Sequence, residues 1–213
     1  MNERNNIHII NRGQVIGLAD KKRILLECAR EVFAQKGFKD TNVLDITGMA
    51  GVAAGTFYNY YPSKDKLFME IYADENAKLK KHIMEQIDMD GDPLDVMKQM
   101  LYLNEAGMRA SAILREWYNR DVFSRIEKAF REEKGLDHIG FMYECFLDIV
   151  KRWQQSGKMR PDLAAEMIMA VFAALISIDL HKDEIGLEYF PQVLNLISEY
   201  VMRGLTRTGL ENV

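Results

Sequence analysis

The sequence predicts an all-α protein of about nine helices, with three short ones at the N-terminal end and longer ones after them. Apolar residues recur at helical spacing in one segment after another. No stretch sustains the two-residue alternation of a half-buried strand, and neither an Asn-Gly hairpin signal nor an internal repeat occurs. The four prolines, at 62, 93, 161 and 191, each fall where a helical pattern is about to begin. Proline is tolerated there because its missing N–H would be unpaired in any case.

The first helix is expected over 20–36, with Asp20 as its N-cap. Ile24, Leu25, Cys28, Ala29, Val32 and Phe33 form its apolar stripe, and Gly37 is its stop. A short helix follows over 43–50, capped by Thr41 or Asn42, with Val43, Leu44 and Ile46 expected inward. Gly51 forces a tight turn into another short helix over 53–60. Ser63 then caps a long helix over 64–88 whose inward residues are Leu67, Phe68, Ile71 and Tyr72. Beyond Asp90-Gly91-Asp92, helices are expected over 93–109, 111–132 (with a break near Asn119), 136–156, 161–181 and 188–206. The division that follows is an N-terminal extension over 1–19, a three-helix unit over 20–66 and a larger helical unit over 67–213. The extension carries scattered isoleucines without a period, which fits a free arm as well as a segment folded onto the body.

Bulk composition excludes several classes. With 213 residues, 48% hydrophobic and 28% charged, the chain is ordinary globular material rather than a disordered one. Its net charge of −4 argues against a nonspecific nucleic-acid coat, but the average hides a split. Residues 1–71 hold ten Lys/Arg against eight Asp/Glu, a balance of +2, and the remainder holds 18 against 24, or −6. Cys28 and Cys145, each among apolar residues, do not make a disulfide framework, so a reducing, cytoplasmic setting is expected. The start MNERNNIHIINRGQ lacks a signal-peptide core. The longest apolar run, 167–178, is too short for a bilayer, so no membrane association is expected.

The helices over 43–50 and 53–60, joined at Gly51, have the layout of a helix-turn-helix laid on the first helix. At 100° per residue, Phe57 and Tyr61 share an inward edge with Val52, while Gly55 and Asn59 point away from it, flanked by Thr56 and Tyr58. The outward face is small, polar and free of carboxylates, which suits a helix inserted in the major groove. Lys64 and the first amides of the next helix are placed to hold a phosphate. On spacing alone, a plain three-helix corner with Ala-Ala-Gly serving close packing accounts for the pattern equally well.

The runs Phe33-Ala34-Gln35-Lys36-Gly37-Phe38, Thr41-Asn42-Val43-Leu44-Asp45-Ile46 and Ala50 through Leu67 closely resemble the DNA-binding domain of the TetR family. The likeness spans about 50 residues. Elsewhere it extends only to helical order and to Gly-Lys-Met-Arg-Pro-Asp at 157–162. The resemblance implies phosphate contacts from Thr41, Tyr58 and Lys64, beside Asn42, and base-edge or groove contacts from Ala53, Ala54, Gly55, Thr56, Asn59 and Tyr60. Two positions depart from the family pattern. Ala53 stands where Ser or Thr usually caps, at a cost of about 1 kcal/mol. Ala54 stands where Lys or Arg is frequent, which removes roughly 1–3 kcal/mol of base discrimination. Alanine against a thymine methyl and Asn59 on adenine favour an A·T-containing half-site. Lys21, Lys22 and Arg23 fit either backbone cations or a solvated helix end.

In the resembling family the last two helices pair with those of a second chain, which implies a homodimer through 161–181 and 188–206. The residues fit this independently. Ala164, Ala165, Ala170, Ala173, Ala174 and Ser177 alternate with Leu163, Val171, Phe172, Leu175 and Ile178, a mix that permits close helix approach. Phe190, Val193, Leu194, Ile197, Val201 and Leu205 supply a matching stripe. A monomer core is the alternative use of both. Ten of the 13 methionines lie at or after position 84, which suits a pocket for a small apolar or amphipathic effector. Tyr102, Met108, Trp117, Tyr118, Phe141, Met142, Cys145 and Met169 are its candidate lining, although ordinary packing explains any one of them. Arg109, Arg115 and Glu116 are either its polar anchor or solvent-exposed.

No catalytic motif and no phosphate-binding loop occurs, and the four histidines are scattered, so neither an enzyme nor a cofactor is expected. His181 with Asp179 and Asp183 is the nearest approach to a metal set, and a helix C-terminus accounts for that histidine. The sequence therefore reads as a dimeric, DNA-binding repressor that releases a palindromic operator when a small molecule enters the body. A regulator governed by a protein partner or by no effector, or an enzyme on a helical scaffold, are the alternatives.

Overall fold

The computed structural model describes residues 18–132, 136–186 and 188–206, and within them all regular secondary structure is helical. In chain order the α-helices are α1 (Leu18–Asp40), α2 (Val43–Ala50), α3 (Ala54–Tyr58), α4 (Lys64–Gln86), α5 (Pro93–Ala110), α6 (Arg120–Glu132), α7 (Leu136–Gln155), α8 (Ala165–Leu180), α9 (Lys182–Ile185) and α10 (Phe190–Leu205). A 3-10 helix, Leu114–Tyr118, lies between α5 and α6. Nearly all of the expected extension, 1–17, lies outside the described residues.

The chain turns where the sequence predicts. The backbone of α1 leaves helical geometry at Gly37 (φ 78°, ψ 169°), in the left-handed half of conformational space that disfavours a Cβ. Asn42 caps α2 in a reciprocal capping box with Asp45. Ser63 caps α4 by accepting from the Lys66 amide, and Asp92 caps α5 ahead of Pro93. The break near Asn119 is present, since that residue is extended between the 3-10 helix and α6.

Four expectations are corrected. Asp20 is not a cap but sits in the first turn of α1, where a carboxylate still favours the helix dipole. Leu44 is exposed rather than inward. The segment 111–118 forms a 3-10 helix instead of a full α-helical stretch. The penultimate long helix begins at Ala165, not at Pro161. Gln154 Nε2 donates to the carbonyls of Arg160 and Leu163 (3.0 and 2.8 Å), and Arg160 pairs with Asp162, which holds this lead-in outside helical geometry.

Two buried clusters organise the molecule. The first gathers Leu25, Ala29, Val32 and Phe33 of α1 with Ile46, Phe57, Tyr61 and the α4 residues Leu67, Phe68 and Ile71. Its rings interlock, with Phe33 edge-on to Phe68 at 5.1 Å and Phe38 tilted onto Phe68 at 4.7 Å. Ile113, Leu114, Val122 and Ile126 join it from the later part of the chain, so the N-terminal unit rests on the 3-10 helix and α6. The second cluster lies among the far end of α4 and helices α5, α7, α8 and α10, around Ile83, Val96, Val150, Trp153, Ile168 and Met202.

Candidate nucleic-acid interface and effector cavity

The corner that sets α3 is built from the chain outward. Gly51 closes α2 in the left-handed conformation (φ 66°, ψ 29°), and the Val52 amide donates back to Thr47 O (3.0 Å). Ala53 gives α3 no side-chain cap, as its alanine predicts. The short helix is held instead by Phe57, which is 0% exposed and packs 5.9 Å from the Tyr61 ring. The Tyr60 and Tyr61 amides both donate to Phe57 O (3.0 Å), so the chain stays wound past Tyr58.

Anchoring Phe57 fixes what faces out. Asn42, Ala53, Gly55 and Asn59 are exposed, Tyr58 is 59% exposed, and Ala54, Thr56 and Tyr60 are half-buried beside them. Leu44 and Met49 of α2 border this surface and are also exposed. No Asp or Glu occurs from Ile46 through Lys64. Asp45, just before that stretch, donates no free charge to the face. Lys36 (2.7 Å) and then the Asn42 amide hold its carboxyl below the usual carboxylate range.

Thr41 and Lys64 are tied into the corner rather than standing free. Thr41 is buried, and its hydroxyl donates to Gly37 O (2.7 Å). The Lys64 ammonium lies 4.3 Å from the Phe38 ring centroid and donates to Phe38 O (2.7 Å) and Thr41 O (2.6 Å). It thereby closes the carbonyl end of α1 onto the start of α4, and desolvation pushes its pKa down. An ammonium has three N–H donors, so one remains for an outside acceptor. Nearby cations are largely matched. Lys22 pairs with Glu70 (3.1 Å), Arg23 with Glu27 (2.8 Å) and Arg125 with Asp65 (2.9 Å), while Lys21 forms no ion pair among the described residues.

In the body, a groove of about 430 Å³ opens between α5 and α10, with Leu94, Met97, Leu101, Tyr102 and Leu196 among its walls and Lys98, Glu105 and Glu199 at polar positions. A smaller inner cavity, about 40 Å³, shares Leu101, Glu105 and Asn195 with it and reaches Met108, Trp117, Tyr118, Asp179 and Phe190. Its inner end is charged. Asp179 accepts from Trp117 Nε1 (3.2 Å); burial pushes its pKa up, opposed by that bond and by Lys182 and Lys80. Lys182 is 0% exposed, with its ammonium 3.2 Å from the Phe123 ring centroid and 3.9 Å from that of Trp117. Burial pushes the Tyr118 hydroxyl up to about 12, and Arg109 stacks 4.8 Å from its ring.

Of the eight candidate lining residues, Tyr102 lies on the groove, and Met108, Trp117 and Tyr118 line the inner cavity. Met169 is packed in the second buried cluster, and Cys145 is half-buried; neither lines these two spaces. The Phe141 and Met142 side chains lie outside the described residues. Among the described residues no cluster of three His, Cys, Asp or Glu side chains is arranged for a metal, and the His181 ring bonds Ser177 O (2.7 Å). No described helix is long and apolar enough to cross a membrane. Sequence reasoning missed Glu116, which is buried rather than solvent-exposed, and Lys182. Each sits beside aromatic residues, and spacing does not reveal that a charge there turns inward.

A three-helix unit presenting a short helix on a helix-turn-helix, joined to a larger helical body with an internal cavity, defines a helix-turn-helix regulator. The family model for bacterial regulatory proteins of the tetR family matches residues 25–71, which spans α2, α3 and most of the first buried cluster. The chain is 26% identical over 200 residues to an uncharacterized HTH-type transcriptional regulator, YhgD of Bacillus subtilis, covering 88% of this chain and 97% of that one. It is 21% identical over 193 residues to the HTH-type transcriptional repressor KstR2 of Mycolicibacterium smegmatis, covering 85% and 92%. The solved structure of RolR with the ligand resorcinol has the same fold, with a TM-score of 0.61 at 14% identity over 91% of each chain. Residues 25–71 thus carry a tetR-family regulatory domain, and the relatives that span most of the chain are HTH-type transcriptional regulators.

Proposed function

We propose that the protein is a transcriptional repressor that binds a palindromic operator as a homodimer and is released by a small apolar or amphipathic molecule. The observation that carries the reading is the outer face of α3. A fully buried Phe57 turns Gly55, Tyr58 and Asn59 outward on a surface without carboxylates, a shape and charge that suit the major groove. Tyr58 and the remaining Lys64 N–H, with Asn42 at the head of α2, are the phosphate side of this contact. Thr41 contributes by fixing the end of α1. Ala53, Ala54, Thr56, Asn59 and Tyr60 are the base side.

The dimer reading rests on α8 and α10. Ala170, Ala173, Ala174 and Ser177 are exposed on α8 beside Met167 and Ile176, and α10 exposes Leu196 and Tyr200. Such a stripe of small and large apolar residues is costly in water and suits a two-fold helical interface. The groove and inner cavity are the effector's place, supported by a relative's structure that holds resorcinol.

Selection of bound sequences from random DNA by the purified protein tests the whole reading. The expected result is a palindrome with half-sites about one helical turn apart. Recovery of no enriched sequence at low salt would sink it. Tyr58→Phe and Lys64→Ala are expected to weaken operator binding and flatten its salt slope.

A further inference from the structure

We infer that Glu116 is a positioning residue that sets the posture of the DNA-reading unit on the body and links that posture to the inner cavity; this rests on the repressor reading above. Glu116 lies in the 3-10 helix and is 8% exposed. Its Oε1 accepts from the Phe38 amide of α1 at 3.1 Å, a bond across 78 residues of chain, and its Oε2 accepts from Asn119 Nδ2 at 2.8 Å. No cation pairs with it among the described residues. A carboxylate buried against neutral donors alone is a costly choice, retained where its geometry has a use.

The place it grips is the hinge of the N-terminal unit. Phe38 follows Gly37, whose left-handed backbone ends the regular part of α1, and a Cβ on Gly37 would stand 3.1 Å from Glu116 Oε1. Phe38 O is in turn one of the two carbonyls held by Lys64. One residue beside the hinge, Phe38, therefore meets the body through Glu116 at its amide and the start of α4 through Lys64 at its carbonyl. The next residue of the 3-10 helix, Trp117, lines the inner cavity and donates to Asp179 of α8. A molecule that shifts Trp117 shifts the residue holding the hinge, because five residues of 3-10 helix offer little slack between them.

In a dimer this posture fixes the distance between two reading helices, so its loss is visible as lost discrimination of operator spacing. The test compares wild type, Glu116→Ala, Glu116→Gln and Trp117→Phe on three DNAs: the selected palindrome, the same palindrome with two base pairs inserted at its centre, and a single half-site. Glu116→Ala is expected to weaken palindrome binding at least tenfold, leave half-site binding unchanged and shrink the preference for native spacing. Glu116→Gln, which keeps an oxygen for the Phe38 amide, restores that preference. Hydrogen exchange at Phe38 is expected to quicken in the alanine variant while Val32 and Phe33 keep their protection. Equal losses on palindrome and half-site, or unchanged spacing preference in Glu116→Ala, would overturn the inference. Trp117→Phe keeps an aromatic ring but removes the Asp179 bond, so it moves spacing preference the same way by a smaller factor; an unchanged value overturns the link to the cavity. If wild type selects no palindrome, the repressor reading fails. If it does and Glu116→Ala matches it, only the present inference fails.

Discussion

The N-terminal unit and the body solve the same packing problem in opposite ways. In the first, α1, α2, α3 and the start of α4 bury most of their large residues, leaving Leu44, Met49 and Tyr58 at the reading surface, and their polar ends are closed locally by Asn42 with Asp45, by Ser63 and by Lys64. In the second, α8 and α10 leave Met167, Ile176, Leu196 and Tyr200 in water while Glu116, Asp179 and Lys182 are drawn inside. Apolar surface outside and charge inside both cost free energy in an isolated chain. The N-terminal unit thus closes its polar ends with neighbours in its own sequence, whereas the body leaves apolar surface in water and holds charge inside.

Substitutions break or sharpen this contrast. The largest effect is expected from Phe57→Ala, which empties part of the core of the N-terminal unit at a cost of about 3–5 kcal/mol. Chemical denaturation followed through hydrogen exchange would show α1–α4 opening first, with Trp153 and its neighbours still protected. Equal opening of both clusters would mean that they form one cooperative unit. Next is Ala173→Glu on the exposed face of α8. It should leave monomer stability within about 0.5 kcal/mol. By setting carboxylates close across a two-fold it should weaken self-association at least tenfold, about 1.4 kcal/mol, as read by sedimentation. Ala53→Ser supplies the missing cap of α3 and should raise the stability of the free protein by about 0.5–1 kcal/mol. The smallest effect belongs to Asp45, whose pKa in the folded protein is lowered from 3.8. A carboxylate with a depressed native value adds stability above its unfolded value and loses it as pH falls through the native one. The difference in stability between wild type and Asp45→Asn should therefore be flat near neutrality, begin to shrink near the ordinary carboxylate range and be lost only as pH falls through the lower native value.

Much of the N-terminal unit was legible because local rules and tertiary packing agree there. The 3.6-residue period placed Phe57 and Tyr61 inward and Tyr58 and Asn59 outward, and the glycines fell at the turns. Asp20, Leu44 and Pro161 misled because a capping residue, an apolar residue or a helix-starting proline only permits the feature it usually marks. Leu44 shows the limit well, since an apolar side chain at an otherwise inward register is exposed here beside the reading surface. The cavity was legible only in outline. Aromatic and methionine-rich helices marked the right region, yet Met169 and Tyr102, equally apolar in sequence, lie respectively in a packed core and on an open groove. The buried carboxylate of Glu116 had no local signal, because its partner amide lies 78 residues away.

Lys182 has a chemical consequence of its own. Its amine is sealed between Trp117 and Phe123 at the junction of α8 and α9, whereas Lys21, Lys81 and Lys98 stand at the surface or close to it. An amine-reactive label will modify those lysines at rates set by reagent, and Lys182 only during moments when the junction opens. Its acylation rate, read by mass spectrometry, is therefore a built-in clock for breathing of the body. Any compound that fills the neighbouring cavity should slow that clock, whether or not its effect on DNA is known.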